Sequence, residues 1–395
     1  MATKREDNLE KEKHLIYLDN NATTQVDERV LAEMLPYFTQ YYGNPASRYY
    51  TLAETAKKAV ETSRVQCAKL IGAKSQEIFF TSGATESNNI AIKGFCFANA
   101  YKGKHILTSL IEHRSVLYPL RELEKLGFRV SYVKPDHYGR VTAEAIEGSF
   151  TADTIFVSVM YANNELGTLN PIAKIAEICY KKNIIFHCDA TQGVGKIPID
   201  VNKTAIDMLS FSGHKIYGPK GIGGLFIRRR MPKIKVQPLV NGGEQEDGLR
   251  SGTLNVPGIM GLGAACALAE KVITKESKHL FSLSERMIKH LSVINGVSYN
   301  NHPTERLPGT LNFTIDSVNA ESLLSRIADK VAISSGSACS STKIELSHVL
   351  QGIGLSNSMA KSTVRVSIGR FNTEDEIDYA SEMLIHEIKH LRSIL

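Results

Sequence analysis

DMLSFSGHKIYGPKGIGGLFIRR, residues 207–229, is the most informative stretch of the chain for its architecture. It begins with an apolar run typical of a buried β-strand, and GIGGLFIRR (221–229) predicts a further strand that we expect to be antiparallel. The glycine-flanked turn between them carries Lys215. A surface lysine on a loop is the commoner explanation. However, a lysine fixed to a buried strand can reach into a cleft, where its pKa falls and its amine becomes a nucleophile.

Strands and helices alternate over the first two thirds of the chain. Apolar, β-rich runs that end in polar turns predict strands at 78–83, 105–110, 129–135, 154–161 and 184–190. Helix-like segments lie between most of them, for example at 171–182. Strands joined by helices imply right-handed crossovers and a mostly parallel, buried sheet. The predicted fold class is therefore α/β.

The last third of the chain has a different pattern, which indicates a smaller α+β domain. Its predicted elements are a long helix at 261–294 with a break near 275, a strand in GTLNFTID (309–316), a helix at 320–330, a loop over VAISSGSACSS (331–341), a strand in TVRVSIGR (363–370) and a closing helix. Thr373 and Glu376 form a predicted capping box at the start of the closing helix. We expect a large domain at 17–265 and a small one at 266–395, with residues 1–16 flexible or packed on the small domain.

Composition excludes several classes of protein. The 395 residues are 43% hydrophobic and 22% charged, as in an ordinary globular protein, and the net charge of +6 is mild for this length. The one basic cluster, Arg228–Arg230, is better explained as a solvated strand end than as a nucleic-acid site. The charged N-terminus lacks the apolar core of a secretory signal, and we expect no membrane span.

The cysteines differ in their surroundings. They are Cys67, Cys96, Cys179, Cys188, Cys266 and Cys339, without a CxxC pair or regular spacing. That pattern argues against a disulfide framework and a metal site, and it favours a cytoplasmic location. Five of them lie in apolar stretches typical of core residues. Cys339 lies instead in SSGSACSS (334–341), where a thiol can be accessible and reactive.

Polar clusters follow five of the predicted strands, at the sheet edge where α/β proteins bind ligands. SGATESNN (82–89) opens a helix whose free amides could cradle a phosphate, although many helices begin with such caps. Asp189 ends a buried strand and requires a cation there, for which a protonated pyridine nitrogen is suitable. His113 could stack on such a ring, although a lone histidine is more often structural.

Seven motifs carry a resemblance to a known family. They are Thr85 in SGATESNN, His113 in EHRS, NNELGT (163–168), DATQ (189–192), SGHKIYGPKGIGG (212–224), RSGTLN (250–255) and SSGSACSS. In this order they resemble cysteine desulfurases of the NifS/IscS type, which are class V aminotransferases that use pyridoxal 5'-phosphate (PLP). The resemblance runs from about Tyr17 to about residue 380 and implies the aspartate-aminotransferase-like fold.

The resemblance also implies roles for matching residues. Contacts with the cofactor ring are implied for Lys215, which would bind it covalently, and for Asp189, Gln192, His113 and Asn164. Contacts with its phosphate are implied for Thr85, Ser212, His214 and, from the second subunit of a homodimer, Thr253. Contacts with the substrate carboxylate are implied for Asn164 and Arg365. Catalytic roles are implied for Lys215, His113 and Cys339.

The reaction implied by the resemblance is removal of sulfur from L-cysteine, which leaves L-alanine and a persulfide on Cys339. The sulfur would then pass to an acceptor protein for iron–sulfur cluster assembly, tRNA thiolation or DNA sulfur modification, and the sequence leaves these open. Some members have a longer C-terminal tail than HEIKHLRSIL, and STKIELSHVL (341–350) is not the commonest sequence after the cysteine. Both departures leave the docking of the acceptor open.

The alternatives include enzymes of the same fold and proteins of another class. A selenocysteine lyase has the same fold, as does an aminotransferase, although an aminotransferase does not need Cys339. Desulfurases with a short RxGHxCA-type cysteine segment are disfavoured because this chain has no such sequence. An inactive scaffold or an RNA-binding protein is disfavoured because Lys215, Asp189, His113 and Cys339 occur together.

Overall fold

The computed structural model describes residues 15–335, 337–340 and 343–394, without the side chains of 337–340 and 343–345. Its strands are β1 (Ile16–Tyr17), β2 (Ile78–Thr81), β3 (His105–Ser109), β4 (Arg129–Val133), β5 (Thr154–Met160), β6 (Ile185–Asp189), β7 (Met208–Ser212), β8 (Gly223–Ile227), β9 (Val297–Tyr299), β10 (Thr310–Ile315), β11 (Val331–Ala332), β12 (Ser334–Ser335), β13 (Ser337–Ser340), β14 (Lys343–Leu346) and β15 (Thr363–Ser367). The predicted strands of the first two thirds are therefore all present.

Helices separate most of these strands. They are α1 (Glu28–Met34), α2 (Pro36–Thr39), α3 (Thr51–Ile71), α4 (Ala84–Asn89), α5 (Phe95–Asn99), α6 (Arg114–Lys125), α7 (Ala143–Glu147), α8 (Ile172–Lys181), α9 (Val256–Leu291), α10 (Ala320–Ile327), α11 (His348–Gly352), α12 (Asn357–Lys361) and α13 (Glu374–Ser393). A π-helical segment, Ile90–Gly94, joins α4 to α5, so the chain is helical from Ala84 to Asn99.

Within the described residues, seven strands form the central sheet, in the order β2-β8-β7-β6-β5-β3-β4. Strand β8 alone runs antiparallel to the other six strands. This confirms the mostly parallel sheet and the antiparallel strand predicted at 221–229. Successive residues face opposite sides of the sheet: Leu107 packs in one apolar core and Ile106 in the other. Helices on both faces therefore bury the sheet, and its carboxyl edge is left for polar groups.

Helix α9 corrects two expectations. It runs without a break from Val256 to Leu291, and it begins five residues earlier than predicted because Asn255 caps it by accepting a hydrogen bond from the Gly258 amide (3.1 Å). Its first half packs in a core of the large sheet and its second half in the core of the small domain. By length and composition alone it could cross a membrane, but 56% of its most apolar window is buried inside the protein, as in a core helix, so the expectation of no membrane span stays a prediction.

The small domain is built on the antiparallel sheet β12-β15-β10-β9, covered by α10 and α13. Thr373 and Glu376 make the predicted capping box at the start of α13. Ile16 and Leu18 pack in the same core, and β1 pairs with β11, so both ends of the chain contribute to it. Because α9 crosses residue 265 without interruption, the domain bounds 17–265 and 266–395 stay a prediction, and residues 1–14 lie outside the described part.

The segment predicted as a loop at 331–341 contains short strands instead. β12 pairs with β15, and β13 pairs with β14 so that Cys339 lies opposite Ile344 in the register. The prediction was wrong because Ser and Gly disfavour strands locally, while pairing with neighbouring strands determines the backbone here. The Cys339 side chain lies outside the described part of the structure.

Candidate active site

A cavity of about 670 Å³ opens at the carboxyl edge of the large sheet, beside the last residues of β5, β6 and β7. The predicted site residues that line it are Thr85, His113, Asn164, Asp189, Gln192, Ser212, His214, Lys215 and Arg365. Residues 21–23, which follow β1, also line it. The structure thus brings together residues from distant parts of the chain, from Asn21 to Arg365, at the sheet edge that the parallel-sheet rule predicts.

Lys215 ends a short 3₁₀ turn, Gly213–Lys215, directly after β7. Its Nζ donates hydrogen bonds to the main-chain oxygens of Asn21 (2.5 Å) and Ala22 (2.7 Å). Burial, reinforced by the charge of Arg365 and opposed by the carboxylates of Asp19 and Asp189, lowers the pKa of Lys215 to about 8. About a tenth of this amine is then neutral at pH 7, compared with well under a hundredth for an ordinary lysine.

Asp189 is buried at the end of β6 and accepts three hydrogen bonds. Thr191 donates to Oδ1 from its backbone nitrogen (3.0 Å) and from Oγ1 (2.5 Å), and Asn88 donates to Oδ2 from Nδ2 (2.8 Å). The Asn88 Nδ2 also lies 2.8 Å from Ser115 Oγ, which lies 2.8 Å from His113 Nδ1. A chain of hydrogen bonds therefore connects Asp189 with His113 and fixes both side chains.

His113 is the N-cap of α6, where its Nδ1 accepts a hydrogen bond from the Ser115 amide (3.1 Å). Burial lowers the pKa of His113 from its ordinary value. Because Nδ1 accepts, the neutral ring carries its proton on Nε2. His113 therefore presents a neutral imidazole with one defined tautomer to the cavity that it lines.

An anion cradle lies at the start of α4. Gly83, Ala84 and Thr85 line the cavity where the first amides of this helix have no partner within the helix. Gly83 has a φ of 152°, which favours glycine, and a Cβ on Gly223 of β8 would lie only 2.6 Å from the Gly83 Cα. The two glycines thus allow the turn to approach the sheet and leave its amides exposed to a ligand.

Ser212 and His214 also line this cavity, and the Ser212 Oγ would lie 3.7 Å from a Cβ on Gly83. His214 Nδ1 lies 3.2 Å from the Thr23 Oγ1. Burial, reinforced by the charge of Lys215, lowers the pKa of His214 to about 4. The cradle therefore offers neutral hydrogen-bond donors. Lys220, which is a cation, also lines the cavity.

Arg365 reaches the cavity from β15 of the small domain. Its Nη1 donates to the Asn164 main-chain oxygen (3.0 Å), and its Nη2 donates to Asp19 Oδ1 (2.5 Å) and Ser334 Oγ (3.0 Å). Among the described residues, no atom accepts a hydrogen bond from its Nε, which is buried. A buried guanidinium with a donor to spare is suited to binding a carboxylate.

Of the predicted site residues whose side chains the structure describes, Thr253 alone does not line the cavity of its own chain, and it is exposed. The Cys339 side chain is not described, whereas Cys67, Cys96, Cys179, Cys188 and Cys266 are all buried and unpaired.

Four residues that organise the site were not predicted from the sequence: Asn21, Asn88, Ser115 and Lys196. Asn88 is in the quoted SGATESNN, and Ser115 follows His113 at the spacing of an N-cap contact, so local signals existed for these two. Asn21 and Lys196 gave no local signal.

The comparisons with known proteins agree with this geometry. The family model described as aminotransferase class-V matches residues 16–380. The chain belongs to this class-V aminotransferase family. Cysteine desulfurase of Mus musculus is 47% identical over 380 residues, which cover 96% of this chain and 82% of the mouse protein.

Among solved structures, this member of the class-V aminotransferase family is similar to NifS-like proteins. A structure titled "NIFS-LIKE PROTEIN" has a TM-score of 0.89 at 36% identity and covers 97% of this chain and 100% of its own. Another, titled "SspA in complex with cysteine", has a TM-score of 0.79 at 36% identity and covers 91% of this chain and 100% of its own. The resemblance to NifS/IscS-type desulfurases and the fold that it implied are confirmed.

Proposed function

We propose that the protein is a PLP-dependent cysteine desulfurase that transfers the sulfur of L-cysteine to Cys339 and leaves L-alanine. The observation that supports this most directly is that Lys215, Asp189 and Arg365 line one cavity. An amine with a lowered pKa, a buried carboxylate and a guanidinium with an unused donor match an aldehyde, a pyridine nitrogen and a substrate carboxylate. The relative named cysteine desulfurase supports the choice of substrate.

The residues of the cavity fit PLP. Lys215 would hold it covalently, Asp189 would pair with its pyridine nitrogen, and the amides that follow Gly83 would hold its phosphate, together with Ser212 and His214. Gln192 would donate to its ring oxygen and His113 would stack on the ring. When bound, PLP supplies an electron sink that weakens the C–S bond of the amino acid.

The protein side chains then perform the proton and sulfur transfers. Lys215 Nζ, as a neutral amine, removes the α-proton of cysteine and returns a proton to the product. His113 serves as a second proton carrier through Nε2. The thiolate of Cys339 attacks the substrate sulfur, so that the C–S bond breaks, an S–S bond forms, and the thiol proton of Cys339 ends on the methyl group of alanine.

Substrate binding is assigned to Arg365 and Asn164. We predict that Arg365→Lys raises the KM for L-cysteine about tenfold or more, because a lysine keeps the charge but cannot make a bidentate contact with a carboxylate. The measurement is the rate of alanine formation against cysteine concentration. Arg286→Lys is the control, because Arg286 pairs with Asp378 on the surface of the small domain. An unchanged KM in Arg365→Lys would remove this residue from the substrate site.

We propose a homodimer in which Thr253 contacts the phosphate bound by the other subunit, and its exposure outside the cavity of its own chain is compatible with that role. The sulfur acceptor would be a protein that reaches Cys339. The five buried, unpaired cysteines support a reducing compartment, for which we propose the cytoplasm.

The visible spectrum of the purified protein tests this function. We expect a yellow protein whose absorbance changes when L-cysteine is added, with alanine and thiol-dependent sulfide formed in equal amounts. A yellow protein that forms alanine only from selenocysteine would indicate a selenocysteine lyase. A protein that takes up no PLP would refute the proposal.

A further inference from the structure

Lys196 lies beside the cavity, although nothing in its sequence surroundings indicates a role. It follows β6 by seven residues and is only partly exposed. Its Nζ donates hydrogen bonds to Gln192 Oε1 (2.7 Å) and to Asn21 Oδ1 (3.1 Å). Unlike Gln192, it does not line the cavity. It therefore contacts two residues of the site without itself lining the cavity.

These contacts fix the orientation of the Gln192 amide. A protonated lysine can only donate, so the atom of Gln192 that faces it has to be the oxygen Oε1. The other end, Nε2, donates to the main-chain oxygen of Asn21 (2.9 Å), which can only accept. Both contacts would be lost if the amide flipped. Gln192 consequently has one N–H of Nε2 left over, which it can donate to a ligand.

Asn21 connects this arrangement to Lys215. Its main-chain oxygen accepts from both Gln192 and Lys215, its Oδ1 accepts from Lys196, and its Nδ2 donates to Thr310 Oγ1 (3.0 Å) of the small domain. Lys196 thus holds the side chain of the residue whose backbone holds Lys215. Removing its amine would leave two buried or half-buried oxygens, on Gln192 and Asn21, without this donor.

We propose that Lys196 is a positioning residue that keeps the Gln192 amide turned so that it donates, and does not accept, towards the ring oxygen of bound PLP. The inference rests on the proposed function and adds a residue to it. Burial, reinforced by the charges of Lys215 and Arg365, lowers the pKa of Lys196 to about 7. Both protonation states of the amine keep at least two N–H donors, so the two contacts persist across this range.

The test compares holoprotein variants by the pH at which the visible band of the bound cofactor changes. A donor to the ring oxygen stabilises its anionic form, so Lys196→Met is expected to raise that pH by about one unit and to weaken PLP binding about tenfold. Lys196→Arg keeps a donor and should stay near the wild-type value. Lys203→Met is the control, because Lys203 is exposed and pairs only with Asp200 among the described carboxylates.

A double variant separates positioning from a general effect on stability. In a Gln192→Ala background, Lys196→Met should cause no further shift of the band, since the two residues act through the same contact. A shift of full size in that background, or an unchanged band in Lys196→Met alone, would overturn the inference. If Lys196→Met does not fold, Lys196→Leu removes the donor in the same way and gives the same comparison.

The outcomes also distinguish this inference from the proposed function. A wild-type protein without a visible band would contradict the proposed function, and the inference with it. A yellow wild-type protein that forms alanine, together with a Lys196→Met variant of identical band and PLP affinity, would refute the role of Lys196 alone.

Discussion

Lys215→Ala is expected to bind PLP without a covalent bond and to form alanine from L-cysteine at least about a thousandfold more slowly than the wild type. The physical reason is the position of the Nζ, which lines the cavity and is held by the main-chain oxygens of Asn21 and Ala22. With its pKa lowered to about 8, this amine is available both to bond an aldehyde and to carry the α-proton. An alanine side chain at position 215 supplies neither function.

Borohydride reduction followed by peptide mass analysis measures the covalent bond directly. The wild type should carry the reduced adduct on the peptide that contains Lys215, and Lys215→Ala should carry none. Lys220→Ala is the matched control, because Lys220 lines the same cavity but is exposed at its edge; it should keep the adduct on Lys215. An adduct that persists in Lys215→Ala would assign the covalent bond to another lysine.

The large sheet was predictable from sequence because its signals are local. Apolar runs such as 154–161 and 184–190 are bounded by polar turns, and burial on both faces produces that pattern in any parallel sheet. Helix α9 was less predictable, since its two halves pack against different cores and no local signal marks that change. The strands at 331–332 and 334–335 depend on pairing with β1 and β15, which distant sequence supplies.

The site likewise has residues that sequence motifs identify and contacts that depend on distant parts of the chain. The ordered motifs contain Lys215 and Asp189, the resemblance implied Arg365 as well, and the structure brings the three into one cavity. The hydrogen bonds that hold these residues connect positions far apart in the chain, such as Asn88 with Asp189, 101 residues away, and Asn21 with Lys215, 194 residues away. Such partners follow from the crossovers of the fold, so a single sequence does not reveal them.

Cys339→Ala is expected to keep bound PLP and a cysteine-dependent change of its absorbance, but to lose at least about a hundredfold in alanine and sulfide formation. The reason is that breaking the C–S bond requires a thiolate to receive the sulfur. Burial raises the pKa of the thiols of Cys96, Cys179 and Cys188, which keeps them protonated and poorly nucleophilic. Cys339 is therefore the cysteine best suited to the task.

Single-turnover labelling with L-cysteine that carries radioactive sulfur distinguishes the sulfur acceptor from a residue that only supports the fold. The wild type should retain protein-bound label that a thiol reductant releases, and Cys339→Ala should retain none. Cys179→Ala is the control, because Cys179 is a buried residue of α8, and this variant should retain label as the wild type does. A Cys339→Ala variant that forms alanine at the normal rate would show that another acceptor takes the sulfur. Because the other five cysteines are buried, that acceptor would then have to be a thiol outside this chain.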